Sequence, residues 1–148
     1  MNEADLKRLF KISVRHHKGF CCSLGSNIVS GVPDLYMVMP NHKPLMLEAK
    51  LIKGVNSTFR RKINYSPLQK LFMHESNKAQ TDVTFGLIGI KFDDVLYVAI
   101  PFNHIEYIDH NFKQYTAYVS KTPKQQYLDI PSMISRLKTG ITVEGILA

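Results

Sequence analysis

The sequence predicts an α/β fold in which a mixed β-sheet is flanked by helices. Segments with apolar residues at helical spacing alternate with short runs rich in β-branched and aromatic residues, in the order helix, three strands, helix and strand. The chain has 148 residues, 45% of them hydrophobic, which suffices for one buried core and not for two. We therefore expect a single domain over residues 1–148, with an αβββαβ core over about 3–100 and a C-terminal extension over about 101–148.

Each element follows from a local pattern. Leu6, Leu9 and Phe10 repeat at the spacing of one helix face, and Gly19 ends that helix. The β-rich runs on either side of residues 92–94 indicate a hairpin. The predicted helices cover residues 3–17, 66–77 and 131–138, the last ended by Gly140, and the predicted strands cover residues 20–24, 32–39, 45–51, 83–91, 95–100 and 115–120, with a turn at 25–27.

The predicted strand over residues 45–51 has the clearest alternation. Apolar residues occupy every second position, so Glu48 and Lys50, which lie between them, project together from the opposite face. A turn over residues 40–44 joins this strand to the one before it. We expect the strand that holds Glu48 and Lys50 to be the centre of the sheet.

A basic segment and a capped helix follow this strand. Residues 52–65 have no convincing period and carry Lys and Arg side chains without a single acid, which predicts a basic loop. The run SPLQ at residues 66–69 supplies a serine cap, a proline in the first turn and a glutamine three residues after the cap, as in a capping box. The helix therefore begins immediately after the basic loop.

The charge of the chain favours a polyanionic partner. Nineteen Lys and Arg against twelve Asp and Glu give a formal net charge of +7. Cys21 and Cys22 are adjacent, which disfavours a disulfide between them. No apolar signal segment and no membrane-spanning segment is apparent, so we expect a cytoplasmic protein, in a bacterium or a phage-infected cell, with no membrane partner. The histidines lack zinc-ligand spacing.

Two short motifs bring together residues suited to metal-dependent hydrolysis. The run GVPDL at residues 31–35 places Asp34 at the start of one strand, and the run LEAK at residues 47–50 lies on the strand that follows. If the two strands are neighbours, two carboxylates can bind one hard divalent cation, Mg²⁺ with Mn²⁺ as a substitute. Lys50 can orient the attacking water or stabilise charge on a phosphate. The alternative is a plain Glu48–Lys50 ion pair with Asp34 in a turn.

These motifs and the order of the elements resemble the PD-(D/E)XK nuclease superfamily, and are similar in particular to its Holliday-junction resolvase and VRR-NUC branches. The resemblance implies a restriction-endonuclease-like core, magnesium-dependent hydrolysis of DNA and a homodimer that cuts opposite strands of branched DNA. The compact size of the chain is also typical of phage-encoded enzymes. Cleavage would then rest on Asp34, Glu48 and Lys50.

The resemblance also suggests further site residues. The carbonyl of Ala49 would complete the metal ligands with Asp34 and Glu48. Gln69 matches a glutamine that approaches the metal centre in these branches, although its capping role alone explains it equally well. Glu3 corresponds to an acidic ligand supplied by the first helix, in register with Leu6 and Phe10, although a terminal residue can fray. The cations expected to hold the DNA backbone are Lys53, Arg60, Arg61, Lys62 and Lys70.

Two other functions stay open at this stage. A sequence-specific restriction or homing endonuclease would use the same residues on linear duplex DNA, because fold alone does not choose the substrate. A DNA-binding module that kept the fold without catalysis would use only the basic surface. Cleavage of defined DNA substrates distinguishes the three.

Overall fold

A computed structural model describes residues 1–25, 31–102 and 105–147, with side chains up to residue 138. The helices are α1 (Glu3–His16), α2 (Pro67–Ala79) and α3 (Ile130–Leu147), with a 3-10 helix at Phe112–Gln114. The strands are β1 (Phe20–Ser23), β2 (Leu35–Val38), β3 (Leu45–Ile52), β4 (Arg60–Lys62), β5 (Thr84–Phe92), β6 (Val95–Pro101), β7 (Tyr107–Asp109) and β8 (Thr116–Lys121).

Six strands form the main sheet in the order β1-β2-β3-β5-β6-β8. The β3–β5 pair is parallel and the other neighbours are antiparallel, so the sheet is mixed. The crossover from β3 to β5 contains α2, as a parallel connection requires. The predicted fold class, a mixed sheet flanked by helices, is confirmed, and β3 is one of the two central strands.

The two faces of the sheet are covered differently. Side chains of α1 and α3 pack with Leu47 and Leu87 in the larger hydrophobic cluster. Ile88, the next residue along β5, belongs to a second cluster on the other face, beneath Ile108 of the small β4–β7 sheet. Strand alternation therefore places Glu48 and Lys50 on the face that α2 and the β4–β7 pair cover.

Capping boxes start both α1 and α2, and the one at α2 was predicted from the sequence. Asn2 caps α1 through a reciprocal pair of hydrogen bonds with Asp5. Ser66 and Gln69 form the predicted capping box at the start of α2. Such caps satisfy backbone N–H groups that have no partner within the helix. The start of α2 is thus held at a defined place beside the sheet.

Three predicted element assignments are wrong. Residues 52–65 are not entirely a loop, because β4 forms there by pairing with the unpredicted β7. Gly140 does not end α3, which continues to Leu147. The strand predicted over residues 32–39 begins only at Leu35, since Pro33 has no N–H to donate to a ladder. Of the turn predicted over residues 25–27, all but Gly25 lies outside the described residues.

The residues after Pro101 complete the same hydrophobic core. β8 pairs with β6, and Leu128, Met133 and Leu137 are buried in the cluster that contains the α1 side chains. The backbone N–H of Leu128 also donates to the buried Ser13 hydroxyl of α1 at 2.9 Å. The predicted hairpin between β5 and β6 is present. Over the described residues, no helix has the length and apolar character needed to cross a membrane.

Candidate active site

The antiparallel pairing of β2 and β3 brings the two predicted carboxylates together. Leu35 pairs with Leu47, so Asp34, one residue before β2, stands opposite Glu48. One Asp34 carboxylate oxygen, Oδ2, accepts a hydrogen bond from the backbone N–H of Ala49 at 3.0 Å. This contact ties the loop before β2 to the central strand and holds Asp34 beside Glu48.

Glu48 is a buried carboxylate that is only half satisfied. It is 4% exposed, and its Oε1 accepts a hydrogen bond from Gln69 Nε2 at 2.8 Å and lies 3.9 Å from Lys50 Nζ. Oε2 is also buried, and it has no hydrogen-bond partner among the described residues. Burial, and then the negative charge of Asp34, raise the pKa of Glu48 from 4.5 to about 8, against the lowering effect of Lys50.

The Gln69 side-chain amide makes two contacts at once, one to the cap of α2 and one to Glu48. Its Oε1 accepts from the Ser66 backbone N–H at 2.8 Å, which is the capping contact. Its Nε2 donates to Glu48 at the other end of the same amide. The cap therefore orients the amide so that its only donor group faces the carboxylate.

Tyr65 closes the site on the side of β5. Gly86 pairs with Glu48, and the Tyr65 hydroxyl occupies the space that a side chain at Gly86 would need. Burial, with a further contribution from the charge of Glu48, raises the pKa of Tyr65 well above its usual value, so the hydroxyl keeps its proton. Lys50 Nζ lies 6.0 Å from the centre of the Tyr65 ring. The sequence predicted no specific place for Tyr65 in the site.

Lys7 of α1 is a second residue that the sequence did not single out. Its Nζ lies 3.7 Å from Asp34 Oδ1. The available signal was positional, because Lys7 follows Glu3 by four residues and so shares its side of the helix. Glu3 itself is exposed in the first turn of α1. Lys7, rather than Glu3, is the α1 side chain with a contact to Asp34.

Gly31 lets the GVPDL segment approach α2 closely. Its φ is +84°, a conformation that residues with a side chain rarely adopt. A side chain there would also meet the backbone carbonyl of Leu68 in the first turn of α2. The glycine thus brings the segment that holds Asp34 against the helix that holds Gln69.

The predicted DNA-binding cations differ in their contacts. Arg60, Arg61 and Lys62 are exposed along β4, and the Arg60 guanidinium lies 4.3 Å from the centre of the Tyr107 ring. Lys70 forms an ion pair with Glu106 at 2.7 Å. The remaining predicted cation, Lys53, donates to the backbone carbonyl of Met1 at 3.0 Å.

The donor set around Glu48 suits a hard divalent cation. Asp34 and Glu48 offer carboxylate oxygens, and Oε2 of Glu48 is the buried, unpartnered oxygen that a cation would satisfy. Among the described residues, no cluster of three or more His, Cys, Asp and Glu side chains is placed to bind a metal. Mg²⁺ commonly binds through one or two carboxylates and keeps several waters, so this sparse oxygen site fits Mg²⁺ rather than Zn²⁺.

Comparison with known proteins adds one structural likeness. No protein-family model matches the chain, and no curated protein matches it. Among solved structures, the chain is similar to Hjc, a Holliday junction resolvase from the archaeal hyperthermophile Archaeoglobus fulgidus, with a TM-score of 0.48 and 10% sequence identity over 72% of this chain and 86% of that chain. The assignment of the site rests on its own geometry.

Proposed function

We propose that this chain is a divalent-metal-dependent endodeoxyribonuclease of the PD-(D/E)XK type that cuts branched DNA. The observation that carries the proposal is the pair of opposed carboxylates with Lys50 on the same strand face. One buried Glu48 oxygen there has no hydrogen-bond partner in the parts of the chain that the structure describes. A plain Glu48–Lys50 ion pair does not explain this arrangement, because leaving a carboxylate oxygen buried without a partner costs stability. A cation shared by Asp34 and Glu48 does explain it.

Each residue of the site would have its own role in the hydrolysis of the phosphodiester bond. Asp34 and Glu48 would hold the cation, with the Ala49 carbonyl as a further ligand, and Gln69 fixes the Glu48 carboxylate. Mg²⁺, or Mn²⁺ in its place, would supply positive charge at the phosphate and acidify the attacking water. Lys50 would orient that water and stabilise the charge that develops on the phosphate. Glu3, which is exposed in the first turn of α1, stays proposed as the acidic ligand supplied by that helix.

The surface around the site would bind the DNA backbone. β4 presents Arg60, Arg61 and Lys62 to solvent, and Lys53 and Lys70 flank it in sequence. Bare carboxylates would repel a phosphate, and a bound cation reverses that sign. The basic strand and the cation site are therefore complementary, with the first holding the duplex and the second acting on one phosphodiester bond.

The preference for branched DNA and a homodimer belong to the same proposal. Two copies of the site, related by a two-fold axis, can cut opposite strands of a junction symmetrically. A sequence-specific restriction or homing endonuclease would instead cut linear duplex at fixed positions. A non-catalytic module would bind DNA and cut none of it.

The test compares cleavage of linear, flapped and four-way DNA with Mg²⁺, with Mn²⁺ and with EDTA. We expect wild-type protein to nick the four-way substrate only with metal, and Asp34→Ala and Glu48→Ala to bind it without cutting. Glu75→Ala is the matched control, because it removes one exposed carboxylate of α2 away from the site. Metal-independent or absent nicking by the wild type, or full activity of either site variant, would refute the nuclease assignment. Preferential cutting of linear duplex would refute the branched substrate alone.

A further inference from the structure

A cavity of about 190 Å³ lies directly beside the candidate cation site, between α2, β5 and the segment before β7. Tyr65 and Gly86 line it, and Gly86 pairs with Glu48 across the β3–β5 ladder. The Tyr65 ring also lies 6.0 Å from Lys50 Nζ. The wall of the cavity is therefore shared with the site, and a group inside it would be next to the candidate cation site.

The lining combines an apolar interior with a polar mouth. Met73 is 5% exposed and Phe85 is 6% exposed, and together with the Tyr65 ring they offer apolar and aromatic surface. The polar residues of the lining are Lys70, His74 and Glu106. Lys70 and Glu106 are paired at 2.7 Å, so a donor and an acceptor stand side by side at the mouth.

Size and charge restrict what can enter. Pockets for whole small molecules measure about 300–1,000 Å³, so this cavity suits a single ring system. The hydrogen bond and the charge of Lys70, with a smaller contribution from the charge of Lys62, hold the pKa of the Glu106 carboxyl below its usual range. A paired cationic donor and anionic acceptor over an aromatic interior match a nucleobase, which has a flat ring and both donors and acceptors at its edge.

We propose that the cavity receives one unstacked nucleobase of the DNA next to the cut, an inference that rests on the proposed function. The Tyr65 ring and Phe85 contact the base, Lys70 donates to its carbonyl or ring nitrogen, and Glu106 accepts from an exocyclic amino group. Where a branch interrupts the stacking, a base leaves the helix at lower cost than a base within a continuous duplex. The cavity thus gives the chain a structural reason to favour branched DNA.

The experiment uses four-way DNA that carries 2-aminopurine at one position at a time near the branch. Fluorescence is read with the full-length protein at saturation, which anisotropy of an end-labelled DNA establishes, and Ca²⁺ replaces Mg²⁺ to suppress cutting. We expect a several-fold rise in 2-aminopurine fluorescence at one position next to the cut and little change at the others. The reason is that 2-aminopurine is quenched while it is stacked and recovers when it leaves the stack. No rise at any position in saturated complexes would overturn the inference.

Two variants test whether the base that gives the fluorescence rise lies in the cavity. His74→Trp puts a large ring at the mouth and should abolish the rise, whereas Leu71→Trp, on the same helix with a 54% exposed side chain that does not line the cavity, should keep it. Because His74 is exposed, we expect both variants to fold, and thermal melting checks this. An equal rise in both variants would overturn the inference.

Cleavage of the same DNA with Mg²⁺ separates this inference from the proposed function. Metal-dependent cutting without a 2-aminopurine response would leave the nuclease assignment intact and remove the base-binding cavity. A 2-aminopurine response without cutting by any metal would remove the nuclease assignment and retain the cavity as a DNA-binding feature. The two proposals therefore fail on different measurements.

Discussion

At the scale of single residues, Glu48 is held in surroundings that disfavour its charged form. The carboxylate is buried and faces Asp34, and one of its oxygens has no hydrogen-bond partner over residues 1–25, 31–102 and 105–138. In the metal-free protein, burial and the neighbouring charge raise its pKa to about 8. A group whose pKa is raised by folding binds more protons in the native state than in the unfolded state between those two pKa values. Glu48 therefore makes the metal-free fold less stable as the pH rises.

The first prediction follows from this decrease in stability with rising pH. The pKa of Glu48 rises from 4.5 to about 8 on folding, so its destabilising effect grows between those pH values and is complete above the upper one. We expect Glu48→Gln to stabilise the metal-free protein at pH 8 by on the order of a few kcal/mol relative to wild type, and by little at pH 5. Urea unfolding of both proteins in EDTA at the two pH values measures this. An equal difference at both pH values would contradict it.

The same residue should make cation binding depend on pH. A cation replaces the proton on Glu48, so the affinity for Mg²⁺ should rise with pH up to about 8 and then level off. Titration of wild-type protein by calorimetry between pH 6 and 9 follows this change. The Asp34→Ala variant, which loses one ligand, should bind weakly throughout. Affinity that does not change over this range would contradict the prediction.

A matched pair of variants can separate the capping contact of Gln69 from its contact to Glu48. Ser66→Ala damages the cap of α2 and should cost about 1 kcal/mol of stability, but it leaves the Gln69 donor to Glu48 in place. Gln69→Ala should cost a similar amount of stability and should also lower cleavage by about 10- to 100-fold, as expected when a residue that orients a metal ligand is lost. Melting and single-turnover rates on four-way DNA measure both. Equal rates in the two variants would assign Gln69 to the cap alone.

The residue scale also shows which parts of the site the sequence predicts. Strand alternation was enough to place Glu48 and Lys50 on one face, and the register of β2 then brought Asp34 opposite Glu48. Tyr65 and Lys7 reach the site through contacts between distant parts of the chain, with Gly86 and Asp34 respectively. No local pattern encodes such contacts, and for Lys7 the sequence offered only its helical spacing from Glu3.

At the scale of elements, the β4–β7 pair is the part that the sequence did not reveal. β4 consists of three exposed cations and has no apolar alternation, so nothing local identifies it as a strand. It forms because Arg61 pairs with Ile108, which is fully buried against the sheet and holds the pair in place. The capped start of α2 was predicted correctly because its signal is contained in residues 66–69. Pairing between strands that are distant in sequence, unlike helix capping, gives no signal in the local sequence.

The strand presents its cations as a row, which predicts a measurable salt dependence. Lys62→Ala should reduce the slope of log affinity against log salt by about 0.9 on duplex arms, if Lys62 neutralises one phosphate. Lys124→Ala, an exposed lysine in the segment between β8 and α3, is the control and should leave the slope unchanged. Fluorescence anisotropy between low and physiological salt measures both slopes. Equal slopes for the two variants would show that β4 does not belong to the proposed DNA-binding surface.

At the scale of the whole molecule, the C-terminal third behaves as part of the core. β8 extends the main sheet beyond β6, and the buried side chains of α3 share one cluster with those of α1. The sequence set these residues apart as an extension because the motifs end before them. The buried core nevertheless includes residues from both parts of the chain. Val98 and Ile100 of β6 would be exposed if β8 and α3 were absent. The stability of β3, the strand that holds Glu48, should therefore depend on α3.

Leu137 and Leu71 test this dependence as a matched pair of leucines. Leu137 of α3 is 3% exposed, whereas Leu71 of α2 is 54% exposed. We expect Leu137→Ala to lower the free energy of unfolding by about 2–5 kcal/mol, from lost burial and the cavity left behind, and Leu71→Ala to change it by less than about 0.5 kcal/mol. Because α3 and α1 share one core, the whole chain should still unfold in a single transition. Far-UV circular dichroism and tyrosine fluorescence should then report the same midpoint. A separate early transition in Leu137→Ala, with the Glu48 strand still folded, would show that α3 is an independent extension.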